Sequence, residues 1–206
     1  MILETVNVGP MQVNCYILAC AEAKPAIVID PGDQIVKIKA VLKEHRLWPV
    51  MVINTHGHYD HIGCDDEFGV TVYVHEQDLA MLEDASKNLS ASFSFAYQVK
   101  SEIKTLKDKE IIKFDCLELE VMHLPGHTPG GIGLLMKKPQ TDIVFTGDTL
   151  FYHSIGRYDL PGASEEQLEK SLGKLFILPN NTKVYPGHGP ATTIGEEKIN
   201  NPFRDR

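Results

Sequence analysis

Four times in 206 residues an apolar, β-forming run stops at a turn rich in glycine or proline that carries a histidine or an aspartate. Val50-Met51-Val52-Ile53 runs into Thr55-His56-Gly57-His58-Tyr59-Asp60-His61. Leu117 to Leu124 delivers Pro125-Gly126-His127-Thr128-Pro129-Gly130. Asp142 to Phe145 leads to Thr146-Gly147-Asp148-Thr149-Leu150-Phe151, and Lys183-Val184-Tyr185 leads to Pro186-Gly187-His188-Gly189-Pro190. Short apolar runs ended by Gly/Pro turns read as buried strands. Loops at the ends of strands are where a rigid scaffold carries ligands and catalytic groups.

The residue types point to metal chemistry. Imidazole and carboxylate suit borderline divalent metals such as zinc, and imidazole also suits iron. His56 and His58 are two apart and point the same way in extended chain; Asp60 and His61 are adjacent and point differently. One ion would use the first pair, and a second, close by, the other. The competing reading, a polar turn that happens to be rich in histidine, is opposed by three of nine histidines falling within six residues directly after a buried strand. With His127, Asp148 and His188 the loops offer five histidines and two aspartates. An open single-ion site uses about three protein ligands, so seven suit two ions sharing a bridging carboxylate, which we assign to Asp148. Glycines beside the ligand positions let the backbone turn closely around an ion.

The rest of the chain supplies elements for one domain spanning 1–206, long enough for a full core. Residues 2–8 and 13–18 read as a hairpin around Gly9-Pro10, and 26–29 as a third strand ending at Asp30-Pro31-Gly32-Asp33. Asp30 and Asp33 stand where they would face a site or merely form the turn and cap the next helix. Apolar positions Ile35, Ile38, Val41 and Leu42 predict a helix over 34–46. A short helix is expected from 62 to 68, a strand over 70–74, a helix over 77–82, and strands over 110–114, 117–124, 132–136, 142–145 and 183–185. Ser164-Glu165-Glu166-Gln167 is a capping box opening a helix to about Phe176, and 195–200 closes the chain as a helix. Residues 84–101, polar with embedded aromatics, suit either a mobile lid over a site or an ordered connection.

The net charge of −8 with no basic run argues against non-specific nucleic-acid binding. Four cysteines without a CxxC pair (Cys15, Cys20, Cys64, Cys116) read as reduced, buried thiols. No basic stretch precedes an apolar one at the start, and no apolar run reaches the roughly 20 residues that span a bilayer, so a cytoplasmic location without membrane contact is expected.

The four motifs in this order resemble those of the metallo-β-lactamase-fold hydrolases. Thr146-Gly147-Asp148-Thr149-Leu150-Phe151 followed by Gly156-Arg157, with the chain's size, is similar to short glyoxalase II-type hydroxyacylglutathione hydrolases. The resemblance implies an α+β fold, a four-layer αββα sandwich with the site at one edge of two sheets. It also implies a partition of ligands: His56, His58 and His127 on one ion, Asp60, His61 and His188 on the other, Asp148 on both. The ions would be zinc, with iron or manganese as alternatives. A hydroxide between them would attack a thioester such as S-lactoylglutathione, releasing the hydroxy acid and glutathione. Asp60 and Asp148 would be catalytic as well as ligating. Arg157 and His153 are candidates for the substrate pocket, Arg157 alternatively for fixing its loop, and Asp30 for a place behind the ligands. His75 and His123 read as structural.

One departure bears on substrate. Longer glyoxalase II enzymes carry a C-terminal helical extension that contacts glutathione; here Lys198 and Arg204 are among the few basic residues near the end. Competing activities in the same fold are a mononuclear-iron persulfide dioxygenase and other hydrolases such as lactonases.

Overall fold

The alternation of residues 2–8, a glycine-proline turn and an unbroken apolar run behind it set the start of the architecture. In a computed structural model that describes residues 1–93 and 96–204, they form an antiparallel hairpin of β1 (Ile2–Val8) and β2 (Val13–Ala19), with Val8 opposite Val13 and Ile2 opposite Ala19. The chain divides into two compact units, Met1–Leu106 and Lys107–Arg206.

In the first unit β3 (Pro25–Ile29) pairs antiparallel with β2. Helix α1 (Ile35–Glu44) then crosses to β4 (Trp48–Ile53), parallel to β3. Helix α2 (Tyr59–Ile62) and a 3-10 turn at Asp65–Phe68 lead to β5 (Thr71–His75). A second 3-10 turn (Glu76–Asp78), α3 (Leu79–Leu82) and a third turn (Ser90–Phe93) precede β6 (Ile103–Leu106). The sheet runs β1-β2-β3-β4-β5-β6, parallel from β3 onward. Ile38 and Leu42 of α1 pack on Val6, Val28, Val52 and Val72, each such burial contributing about 1.5–3 kcal/mol. Ile29 and Ile53 are register partners, so β3 and β4 end at the same sheet edge, and Asp30 N donates to Ile53 O at 3.1 Å. That edge, beyond the carboxyl ends of parallel strands, is where α/β sheets place ligands.

A helix boundary and a cysteine depart from expectation, and one of the two readings of 84–101 is met. The helix expected from residue 62 starts at Tyr59, so Asp60 and His61 lie on a helical turn rather than in extended chain. The described part of 84–101 is an ordered connection: Asn88 Nδ2 donates to Met81 O and Tyr97 O (both 2.9 Å), and the Asp66 carboxylate accepts from Lys100 N, Ser101 N and Ser101 Oγ. Ser94 and Phe95, within that stretch, lie outside the described residues. Cys15 and Cys64 are free and buried, as expected, but Cys20 is disulfide-bonded.

The second unit holds β7 (Ile111–Phe114), β8 (Leu117–His123), β9 (Ile132–Lys138), β10 (Ile143–Gly147), a two-residue pair β11 (Leu150–Phe151) and β12 (Ser154–Ile155), α4 (Glu165–Phe176), β13 (Lys183–Pro186), β14 (Thr192–Thr193) and α5 (Ile194–Asn200). The sheet order is β14-β13-β10-β9-β8-β7, and only β10 and β13 pair in parallel. Ser164 caps α4 as expected, its Oγ accepting from Gln167 N, but the reciprocal half of a capping box is replaced: Ser164 N donates to Gly126 O. Leu172 and Leu175 of α4 pack on Val144, Val184 and Ile194. Cys116 is also disulfide-bonded, a further departure from four reduced thiols; disulfide partners need only meet in space, so spacing gave no signal. No helix among the described residues is long and apolar enough to cross a membrane.

Candidate metal centre

In the first unit the loop after β4 presents His56, His58 and His61 almost fully buried. The His56 ring lies 4.8 Å from His58, edge-on, and 4.2 Å from His61. His61 Nε2 stands 3.8 Å from Asp60 Oδ2. What gathers them is the turn after β3. A Cβ on Gly32 would fall 1.5 Å from Asp60 O, so only glycine lets this turn back directly onto α2.

Asp30, 1% exposed and at φ +50°, organises the ligands from behind. Its Oδ1 accepts from Thr55 N at 2.7 Å, and its Oδ2 accepts from Thr55 Oγ1 at 2.6 Å and lies 2.9 Å from His61 Nδ1. A carboxylate oxygen only accepts, so His61 carries its proton on Nδ1. The Thr55 hydroxyl gives its single proton to Asp30, so its 3.2 Å contact with His56 Nδ1 has the ring nitrogen donating. One buried carboxylate thus fixes two imidazoles with Nε2 as the lone-pair donor, the form a metal ligand needs. Asp30 stands directly behind His61 and, through Thr55, behind His56.

Two supporting residues went unnoticed in the sequence. Asp78, fully buried, accepts from Gly57 N at 3.0 Å, pinning the peptide between His56 and His58. Asn54 Nδ2 donates to His61 O and to Asp65 Oδ1. Both are single polar residues at strand or turn ends, with no periodicity or motif to mark them. Asp65 is wholly buried, and burial pushes its carboxyl well above the usual range against the lowering effect of Asn54.

In the second unit the parallel pair β10/β13 brings two loops to one end: Gly147 is the register partner of Pro186, and Gly187 N donates to Gly147 O at 2.8 Å. There His127 Nε2 and His188 Nε2 each lie 3.5 Å from Asp148 Oδ2. His127 Nδ1 lies 2.8 Å from Arg157 O; a carbonyl accepts, so Nε2 is again the donor atom turned toward the carboxylate. Gly156 permits this closeness, since a Cβ there would meet Asp148 O at 1.8 Å. The His127 loop rests on α4, with Ser164 N donating to Gly126 O and Ser171 Oγ to Pro125 O, both at 2.7 Å.

The pocket candidates are placed differently. The Arg157 guanidinium makes two 2.9 Å bonds to Asp159, while its carbonyl accepts from His127 Nδ1. His153 stacks on Tyr152 at 3.9 Å and is bound to α5, its Nε2 2.8 Å from Glu196 Oε1 and its N–H donating to Glu197 Oε2. His75 Nδ1 accepts from Gln77 N and His123 Nε2 lies 2.9 Å from Pro129 O, both structural as expected.

Each unit therefore carries a cluster of imidazoles beside an acidic oxygen, with Nε2 set as lone-pair donor on His56 and His61 in the first and on His127 in the second, and imidazole with carboxylate is the donor set of zinc, iron or manganese enzymes. Orientation of rear nitrogens by buried acceptors is what ligand histidines require. Clusters of this kind, at the strand ends of two mixed sheets with flanking helices, define a metallo-hydrolase type of protein. The chain belongs to the metallo-beta-lactamase superfamily, which matches residues 8–188, and has that superfamily's fold. It is similar to the crystal structure of BLEG-1 B3 metallo-beta-lactamase, at 34% identity and a TM-score of 0.90 over 100% of both chains. The crystal structure of TTHA1623 in a di-iron-bound form is 35% identical, with a TM-score of 0.82 over 97% of this chain and 99% of that one. Hydroxyacylglutathione hydrolase GloC of Haemophilus influenzae is 34% identical over 98% of both chains.

Proposed function

We propose that this protein is a metal-dependent thioester hydrolase whose substrate is S-2-hydroxyacylglutathione, S-lactoylglutathione first among them, and that its two clusters together hold two divalent ions, zinc first. The observation that carries the reading is the preset tautomer of His56, His61 and His127, each with its rear nitrogen donating to a protein oxygen. The likeness to a hydroxyacylglutathione hydrolase at 34% identity supports the substrate class. Following the motif resemblance, His56, His58 and His127 would hold one ion, Asp60, His61 and His188 the other, and Asp148 both. Ions so held supply a nucleophile near neutral pH and a Lewis acid for the carbonyl oxygen.

The chain's own residues do the rest. Asp30 and the Arg157 carbonyl keep the imidazoles in the ligating tautomer, and Asp78 keeps the His56–His58 backbone in place. Asp60 orients the attacking water. The leaving thiolate is stable enough that no strong general acid is needed.

Metal analysis of the purified protein together with two assays tests the reading. Two equivalents of metal per chain and turnover of S-D-lactoylglutathione are expected. One iron per chain with oxygen uptake on glutathione persulfide would replace the hydrolase by the mononuclear-iron dioxygenase. Equal kcat/KM for an acyl thioester lacking the glutathione arm would leave a general thioesterase.

A further inference from the structure

Helix α1 ends in a turn whose residue choice runs against its backbone. Arg46 N donates to Lys43 O at 3.0 Å and Leu47 N to Leu42 O at 2.7 Å, the paired bonds that close a helix through a left-handed residue. That residue is Arg46, at φ +56°. Glycine fills such a position without steric cost, and an L side chain does not. A strained residue that the fold retains points to what its side chain does.

The Arg46 side chain borders an open groove of about 510 Å³, formed by the end of α1, the start of β4 and the 3-10 turn at Asp65–Phe68. Lys39, Lys43 and Arg46 line it, against one carboxylate, Glu67. This local excess of positive charge stands on a chain of net charge −8. Lys39 lies 3.7 Å from Glu67. Arg46 gives one donor to Glu22, and the rest of its five-donor fork stays available. Lys43 has no carboxylate within ion-pair distance among the described residues. The negative end of the α1 dipole lies here as well, worth roughly half a charge, so it balances only part of the three cations.

Trp48, the chain's single tryptophan, lines the same groove and is 51% exposed, although tryptophan is highly buried on average. Leu42, Leu47 and Phe68 complete the lining with apolar surface. The groove has the size and the mixed apolar and polar lining of small-molecule sites. An exposed indole beside clustered cations offers ring stacking and anion contacts together.

We propose that this groove is a second ligand site and binds a nucleoside phosphate, its base on Trp48 and its phosphates on Lys39, Lys43 and Arg46. One cation serves a lone carboxylate, whereas three suit the multiple charge of a phosphate or diphosphate. A planar base suits the indole face. The site is separate from the metal centre. Trp48 opens β4 and the histidine loop follows its far end, about 16 Å along the strand. Binding here is independent of the reaction at the metals.

Because the chain has one tryptophan, the site is its own reporter. Titration of the metal-loaded chain with ADP should quench Trp48 fluorescence saturably. Adenosine, ribose 5-phosphate and inorganic phosphate, each lacking part of the ligand, should bind at least about tenfold more weakly. Arg46→Gly should weaken ADP binding by about fivefold or more, while melting no lower than the parent, because glycine suits the left-handed turn. Lys43→Gln, at an exposed position, should weaken it by a similar factor with an unchanged melt. Non-saturable quenching, binding of adenosine or inorganic phosphate as tight as that of ADP, or parental affinity in both variants overturns the proposal. So does tighter binding of a single-stranded oligonucleotide than of ADP, which would make the groove a nucleic-acid surface.

Discussion

Replacing Asp30 by asparagine separates what holds the first unit together from what prepares it for metal. Asparagine has the same size and tolerates φ near +50° as aspartate does, so the turn keeps its path. Its amide oxygen can go on accepting from Thr55 N. Its NH₂ group, however, now stands 2.9 Å from His61 Nδ1, where a carboxylate oxygen stood. Two donors cannot face each other, so His61 moves its proton to Nε2, the atom that should bind metal. The same substitution logic makes an aspartate behind a catalytic histidine irreplaceable by asparagine in serine proteases. Loss of a carboxylate behind a ligand histidine costs about 10–100-fold in metal affinity, or about 1.4–2.7 kcal/mol. The loss in folding stability is about 1–3 kcal/mol, from one weakened charge-assisted bond. Asp30→Ala reverses the balance. It leaves His61 free to keep either tautomer but strips three buried donors of their acceptor and puts alanine at positive φ, costing about 3–5 kcal/mol of stability. Titration of metal-free protein against a chromophoric chelator, alongside thermal melts, reads both quantities. The reasoning is refuted if Asp30→Asn binds both equivalents within twofold of the parent, or if Asp30→Ala loses more affinity than Asp30→Asn.

Three further substitutions probe other links. Asp78→Ala should cost about 1–3 kcal/mol by leaving Gly57 N–H buried without its acceptor, and should weaken metal binding, with Asp78→Asn recovering most of both; an unchanged chelator titration would limit Asp78 to folding. Gly156→Ala forces a Cβ to within 1.8 Å of a backbone oxygen that carries Asp148, so a loss of about 3 kcal/mol or more is expected, and a melt matching the parent would show that the turn yields cheaply. Asp65→Asn tests the buried acid. Its folded pKa is raised, so the native state keeps a proton that the unfolded chain releases above about pH 3.9. Stability from this group is therefore full below that pH and is lost as pH rises toward the folded pKa, at up to about 1.4 kcal/mol per pH unit. The asparagine variant should gain melting temperature over the parent, more at pH 7 than at pH 4.5, and a pH-independent difference would count against a protonated Asp65.

Which residues carry the clusters was legible in the sequence because ligands are rare residue types placed at strand ends, and strands announce themselves by apolar runs. The hairpin, α1, α4 and the four motif-bearing strands were readable for the same reason. The two-residue strands β11, β12 and β14 were not, because two residues have no period. The helical turn of α2 was hidden by its brevity: four residues, Tyr59 to Ile62, show no amphipathic repeat. Asp78 and Asn54 escaped because their roles depend on reaching a backbone group twenty-one residues or a turn away, which spacing does not record. Arg157 shows the limit from the other side. The side chain attracted attention as a cation near Asp148, yet it is the main-chain oxygen that acts on His127, and any residue supplies one.

The two units prepare their histidines by unequal means. In the first unit a single buried charge serves Thr55 and His61 directly and His56 through the Thr55 hydroxyl. A charged acceptor also makes an imidazole more basic than a neutral one does, so His61 is the stronger donor of the set. In the second unit His127 is backed by an uncharged carbonyl, and His188 meets the edge of Phe151 at 5.9 Å. The two histidines there share no acceptor, and each stands on a loop of its own. Asp30 reaches Thr55 and His61 from 25 and 31 residues away, so the shared support is built by the fold, and a single substitution there should disturb both tautomers at once.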